Sequence, residues 1–193
     1  MRFIGLSFLT GILCGVVPLA RADVSSEIAQ ASAPNSEGVP EVAVVRLQSL
    51  LNNNLTETEW RAVVEKLAQA QMAANEPEDT LVLLADARLR DLPWARFWRA
   101  QALASLHRWA NALPLYEELS NDTSPFQRAA VFGAADALRA LGKRKEALSK
   151  LTLLAHDKEL GMRAQLRLAE LYIELGNAPE ARRLLEQATR CAR

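Results

Sequence analysis

Short side chains recur in this chain at near-constant spacing, and nothing else in the sequence limits the fold as strongly. Aligning the chain on Ala68, Ala100, Ala135 and Ala169 gives intervals of 32, 35 and 34 residues. Three positions after each alanine stand Gln71, Leu103, Leu138 and Tyr172. Twelve positions after each stand Thr80, Ala112, Ala147 and Ala181, and four further on Leu84, Tyr116, Leu151 and Leu185. Self-similarity with a period of 20–50 residues is the signature of stacked repeats. Two helices cross closely only where a side chain is short, and bulkier neighbours then fill the groove beside the crossing. Each unit therefore reads as a pair of helices meeting at small residues.

Breakers divide the chain into these pairs. Thr56 and Glu59 form a capping-box signal, and Trp60, Val63, Val64, Leu67 and Gln71 follow at helical spacing. Pro77 suits the first turn of the next helix, whose stripe is Leu81, Leu84, Ala85 and Leu89. Pro93 opens a helix to about Leu106, answered by Trp109 to Leu119, with Pro114 inside it as a site for a lost hydrogen bond and a kink. Ser124-Pro125 reads as N-cap and first position of a helix ending at Gly142, and Glu146 to His156 answers it. Leu160 to Leu175 stops at Gly176, and Pro179 starts a last helix to about Arg190. Gly142 and Gly176 can adopt the left-handed conformation that ends a helix. Links of two to five residues force each pair antiparallel. The expected hairpins are 57–90, 93–120, 125–156 and 160–190, preceded by one helix carrying Val44, Leu47, Leu50 and Leu51.

The spacing resembles the tetratricopeptide repeat, most closely in Ala134-Ala135-x2-Leu138 with Ala147-x3-Leu151, and Leu168-Ala169-x2-Tyr172 with Ala181-x3-Leu185. The likeness covers about residues 61–193, and more weakly 41–60. The family's first-position Trp is missing from all four units, Arg99 takes an apolar position in the second, and Pro93 and Pro125 fall one residue late. The resemblance implies an all-α, right-handed solenoid of antiparallel helical hairpins. It also implies a non-enzymatic scaffold whose first helices line a concave groove for a peptide or partner helix. On that basis the groove would carry Trp94, Phe97, Gln101, Phe132, Asp136, Arg139, Arg163 and Glu170, with Glu65, Gln69, Met72 and Ile173 alongside. The same large apolar residues could equally pack between repeats, as helically spaced aromatics usually do. Family members that clamp a C-terminal carboxylate use Lys and Asn where this chain has Glu65, Gln69, Phe97 and Gln101, so that ligand is not expected.

The amino terminus carries a different message. Arg2 precedes an uncharged apolar stretch, Phe3 to Leu19, and Ala20-Arg21-Ala22 fits small-x-small cleavage before Asp23. Residues 1–22 are expected to be a signal peptide, placing the product in the periplasm or outside the cell. Leu13 before Cys14 argues against a lipoprotein signal. Residues 23–40, rich in Ser, Ala and Pro, read as a flexible linker, and 41–193 as the repeat domain. No later stretch is long and apolar enough to span a bilayer. After cleavage 21 basic residues face 23 acidic ones, a net charge of −2 without a basic tract, which leaves nucleic acid little to bind.

Catalytic signals are sparse. His107 and His156 belong to no metal-spaced cluster, and no phosphate loop, nucleophile elbow or dinucleotide fingerprint occurs, so neither metal nor cofactor is expected. Cys191, the one cysteine beyond the signal, reads as a free thiol. The expected partners are other proteins or peptides. Leu184, Leu185 and Ala188 have no following helix to cover them, although solenoids usually cap their last repeat. Either two copies pair through the C-terminal hairpin, or the chain is the N-terminal module of a larger envelope enzyme or transport or assembly component.

Overall fold

A computed structural model describes residues 24–191, with side chains to residue 187. The expected signal peptide lies outside the described residues. Within them are ten α-helices, a single 3-10 turn and no strand. The helices form five consecutive hairpins. These are α1 (Val24–Ser36) with α2 (Pro40–Leu50), α3 (Glu57–Ala73) with α4 (Pro77–Leu83), and α5 (Pro93–Ser105) with α6 (Trp109–Ser120). Then come α7 (Gln127–Ala140) with α8 (Arg144–Leu154), and α9 (Gly161–Glu174) with α10 (Ala178–Cys191). Each helix packs on the next in order, and the first helices α1, α3, α5 and α7 also touch in sequence. The fold is the expected stack of helical pairs.

The alanine register proves to be a backbone register. Seven residues after each aligned alanine stands a residue of positive φ: Asn75 (60°), His107 (57°), Gly142 (78°) and Gly176 (77°). The next amide then bonds back across the turn: Glu76 N to Gln71 O at 2.8 Å, Arg108 to Leu103 at 2.8 Å, Lys143 to Leu138 at 2.9 Å and Asn177 to Tyr172 at 2.7 Å. This six-to-one bond is the Schellman ending, which satisfies a carbonyl the helix would leave orphaned. The twelfth-position residues Thr80, Ala112, Ala147 and Ala181 are all buried where the second helix crosses the first.

Residues 23–40 are not a linker. They hold α1, and they repeat the same register: Ala31, then Gly38 at φ 82°, Val39 N bonded to Pro34 O at 3.0 Å, then Ala43 and Leu47 with no exposed surface. Val24, Ile28 and Ala31, on one face of the helix, bury against α2 and α3 in a core with Val44, Leu47, Val63 and Leu67. Serine and proline lower the helical propensity of this segment, but an apolar stripe that packs overrides propensity.

Two element boundaries also differ. The helix expected through Leu89 stops at Leu83, and a 3-10 turn, Ala87–Leu89, follows. Asp86 accepts the Arg88 N–H at 2.9 Å, so a local side-chain bond competes with helix continuation. Arg99, out of pattern in the sequence, donates to the Leu84 carbonyl at the end of α4. The fourth pair starts at Gln127 rather than at Pro125, because Ser124 makes no cap and its carbonyl instead accepts the Gln127 N–H in a turn.

At Gly142 and Gly176 no atom lies within 4 Å of where a Cβ would sit, so a side chain there would meet only backbone strain. Gly142→Ala and Gly176→Ala should each cost about 1 kcal/mol, and Asn75→Gly should recover about half as much, in urea titrations. Neutral alanine variants would show that these turns are not held left-handed.

Candidate functional site

The first helices α5, α7 and α9, with the start of α6, enclose an open cavity of about 470 Å³. Phe97 and Phe132, each 8% exposed, and Tyr116 form its aromatic floor. Phe97 is held on both sides, by Trp98 edge-on with centroids 5.3 Å apart and by Phe126 at 5.0 Å. Gln101, Asp136, His107, Trp109 and Arg163 stand round the walls. The Arg163 guanidinium lies 4.9 Å above the Phe132 ring, an attraction between cation and ring face.

Two small residues make room for this floor. Ala129 leaves its side open, and Gly133 sits in mid-helix, where glycine costs about 1 kcal/mol relative to alanine. The reason is Tyr116: a Cβ on Gly133 would lie 2.6 Å from its Cε1 and Cζ. Tyr116 occupies the sixteenth-position site where the other units carry leucine, and its ring fills the space that the missing side chain leaves. Burial, with Asp136 nearby, holds its phenol well above the ordinary range, so it stays protonated as a donor. Burial also raises the Asp136 carboxyl, against the pull of Arg167 and Arg139.

Beside the cavity an ion-pair network ties α7 to α9. Arg139 reaches Glu170 at 2.9 Å and Glu174 at 2.6 Å, Arg144 reaches Glu174 at 2.9 Å, and Arg167 reaches Asp136 at 3.2 Å and Glu170 at 2.9 Å. The bonds from Arg139 and Arg144 hold the Glu174 carboxyl below its usual range. That contribution is full above the ordinary carboxylate pKa and is lost as pH falls through the lowered one.

Of the eight residues expected in the groove, Phe97, Gln101, Phe132, Asp136 and Arg163 line one cavity. Arg139 and Glu170 are adjacent, in the ion-pair network between α7 and α9. Trp94 is elsewhere. It packs with Val64, Ala68, Leu84, Leu89 and Ala95, because the shortened α4 lets residues 84–92 fold against the start of α5. Tyr116, Trp109 and His107 were missed. Gly133 inside a helix and tyrosine in place of leucine were the signals that could have found the first of them.

Among the described residues no group of His, Cys, Asp and Glu is arranged to hold a metal ion. The site offers an aromatic surface and a protonated phenol, with ion-paired charged groups beside them.

Comparisons agree with this architecture. Two family models match, a tetratricopeptide repeat over residues 163–190 and a tetratrico peptide repeat over residues 25–91, the second beginning inside α1. No curated protein matches the sequence. Solved structures share the fold at low identity. A kinesin light chain-type protein with nearly identical TPR-like repeats from Podosopora anserina is 21% identical, with a TM-score of 0.69 over 86% of this chain and 93% of its own. MamA from Desulfovibrio magneticus RS-1, residues 41 to the end, is 13% identical, with 0.71 over 89% and 96%. MamA of AMB-1 is 17% identical, with 0.66 over 84% and 95%. The chain thus carries tetratricopeptide-type repeats over residues 25–91 and 163–190, within a stack of helical hairpins whose fold is that of TPR-like repeat proteins.

Gly133→Ala should destabilise the chain by about 1–2 kcal/mol, because overpacking against Tyr116 outweighs the helical gain from alanine. In the Gly133→Ala/Tyr116→Leu double variant most of that loss should disappear, and a denaturant double-mutant cycle measures the coupling. Strict additivity would mean that the two residues do not set each other's identity.

Proposed function

We propose that this chain is a non-enzymatic scaffold, exported to the cell envelope, that holds a peptide or partner helix in the cavity between α5, α7 and α9. The observation that carries the reading is the aromatic floor of Phe97, Phe132 and Tyr116 at the bottom of an open concave surface. Rigid aromatic anchors with arginine nearby are the residue types that dominate binding energy at protein interfaces. An apolar side chain of the partner would lie on that floor. Gln101 and the Tyr116 hydroxyl would meet its backbone, and Asp136 and Arg163 would meet polar groups beside it. Burial raises the Asp136 carboxyl despite its pairing with Arg167, so a further donor from a partner would offset part of that desolvation.

Export rests on the pattern of residues 1–22, with Arg2, the apolar run Phe3 to Leu19 and the Ala20-Arg21-Ala22 cleavage signal. Cutting before Asp23 would leave all five hairpins whole.

The test expresses the chain from Met1 in a bacterium, reads the mass of the recovered protein, and uses it to capture partners from an envelope fraction. The expected product starts at Asp23. Ser105→Arg and Gln101→Arg, two changes on the cavity wall that leave the core intact, should each weaken capture of the same partner at least tenfold. Trp94→Ala, outside the cavity, should not. Equal capture by all three variants would rule out the cavity as the binding site, and an uncleaved product would rule out the export reading.

A further inference from the structure

The two ends of the stack are not alike. In the later hairpins the first helix presents three positions to the hairpin before it, at −5, −1 and +2 from the aligned alanine. Val63, Leu67 and Ala70 stand there in α3, Ala130, Ala134 and Ala137 in α7, and Ala164, Leu168 and Leu171 in α9, all buried, while α5 has buried Ala95 and Ala102 on either side of the half-buried Arg99. In α1 the same positions are Ser26, Gln30 and Ala33, and none of them is buried. Among the described residues this end presents a polar face, as the capping repeats of solenoids do.

Among the described residues the other end exposes apolar side chains. The residue sixteen after the alanine is 0% exposed in Leu47 and Leu84 and 1% exposed in Tyr116 and Leu151, because the following hairpin covers it, whereas Leu185 is 40% exposed. The residue three before the alanine is 8% exposed in Ile28, Phe97 and Phe132, whereas Leu166 is 42% exposed. Met162 at 52% and Ile173 at 59% extend the patch along α9. A contiguous apolar surface of this kind marks an interaction site.

We propose that this face pairs with the same face of a second copy of the chain, across a two-fold axis with the two α9 helices antiparallel. The charge order along α9 supports that occupant. Its first half carries Arg163 and Arg167, and its second half carries Glu170 and Glu174. This order is the reverse of what the helix dipole favours. Antiparallel pairing sets the basic half of one helix against the acidic half of the other, with Leu166 against Ile173 at the centre. Within the chain Arg167, Glu170 and Glu174 already bridge to α7, but a carboxylate accepts more than one donor. Arg163 lies over the Phe132 ring and makes no ion pair among the described residues. Head-to-tail stacking would instead set this apolar face against the polar α1, so the arrangement closes at two copies.

The experiment is sedimentation of the purified full chain, expressed from Met1, over a hundredfold range of concentration, with circular dichroism as a check on folding. A dimer is expected. Ile173→Arg and Leu185→Arg, both at exposed positions, should raise the dissociation constant at least tenfold with unchanged helicity, and Met162→Lys is the milder third variant. A monomer throughout, an open series of higher oligomers, or folded variants that dimerise as before would each overturn the proposal. The cavity variants Ser105→Arg and Gln101→Arg should leave the dimer intact, so failure of the groove reading and failure of this one are distinguishable.

Discussion

Each hairpin in this molecule turns on a backbone hydrogen bond that spans six residues, made possible by a left-handed residue just past the end of the first helix. Without that turn the two helices could not fold back within so short a link. With it, the small residues five and more positions beyond come to face the aligned alanine, and the crossing is fixed. The turn is local, the crossing involves one neighbour, and the stacking involves the next. The structure is therefore close to one-dimensional, with stability built from repeated units and their nearest-neighbour contacts. Glycine supplies the left-handed residue at three turns at no steric cost. Asn75 and His107 supply it at the other two, and asparagine and histidine are among the side chains that tolerate this conformation best.

The candidate site arises where the units depart from their common pattern. Tyrosine replaces leucine at position 116, glycine replaces a side chain at position 133, and phenylalanines stand at 97 and 132 on consecutive first helices. Together they change a stacking contact into an open aromatic hollow. The arginine and glutamate network beside it links α7 to α9. Exposed ion pairs contribute little to stability one at a time, but a shared network fixes geometry.

Much of this was legible in the sequence, and the failures have physical causes. Small residues at close crossings cannot be replaced without moving two helices apart, so Ala68, Ala100, Ala135 and Ala169 mark the register plainly. The first hairpin was hidden because serine, proline and asparagine surround Val24, Ile28 and Ala31, and composition there argues for a linker. Continued to Ala31, Gly38, Ala43 and Leu47, the register would have revealed it. Trp94 was misplaced because its position depends on where α4 ends, which the Asp86 side chain and Arg99 decide through contacts that spacing does not show. Tyr116 was missed because it belongs to a second helix and reaches the concave side only through the gap at Gly133.

The most direct test of the account is amide hydrogen exchange read at the five turn donors, Val39, Glu76, Arg108, Lys143 and Asn177. Each lies in an exposed link, where an unbonded amide would exchange at the rate of an unfolded chain. The account predicts protection at all five, with Val39 protected along with the rest because the first hairpin is a full repeat. Free exchange at Val39 alone would return α1 to the status of a linker, and free exchange at all five would contradict the register on which the stack depends.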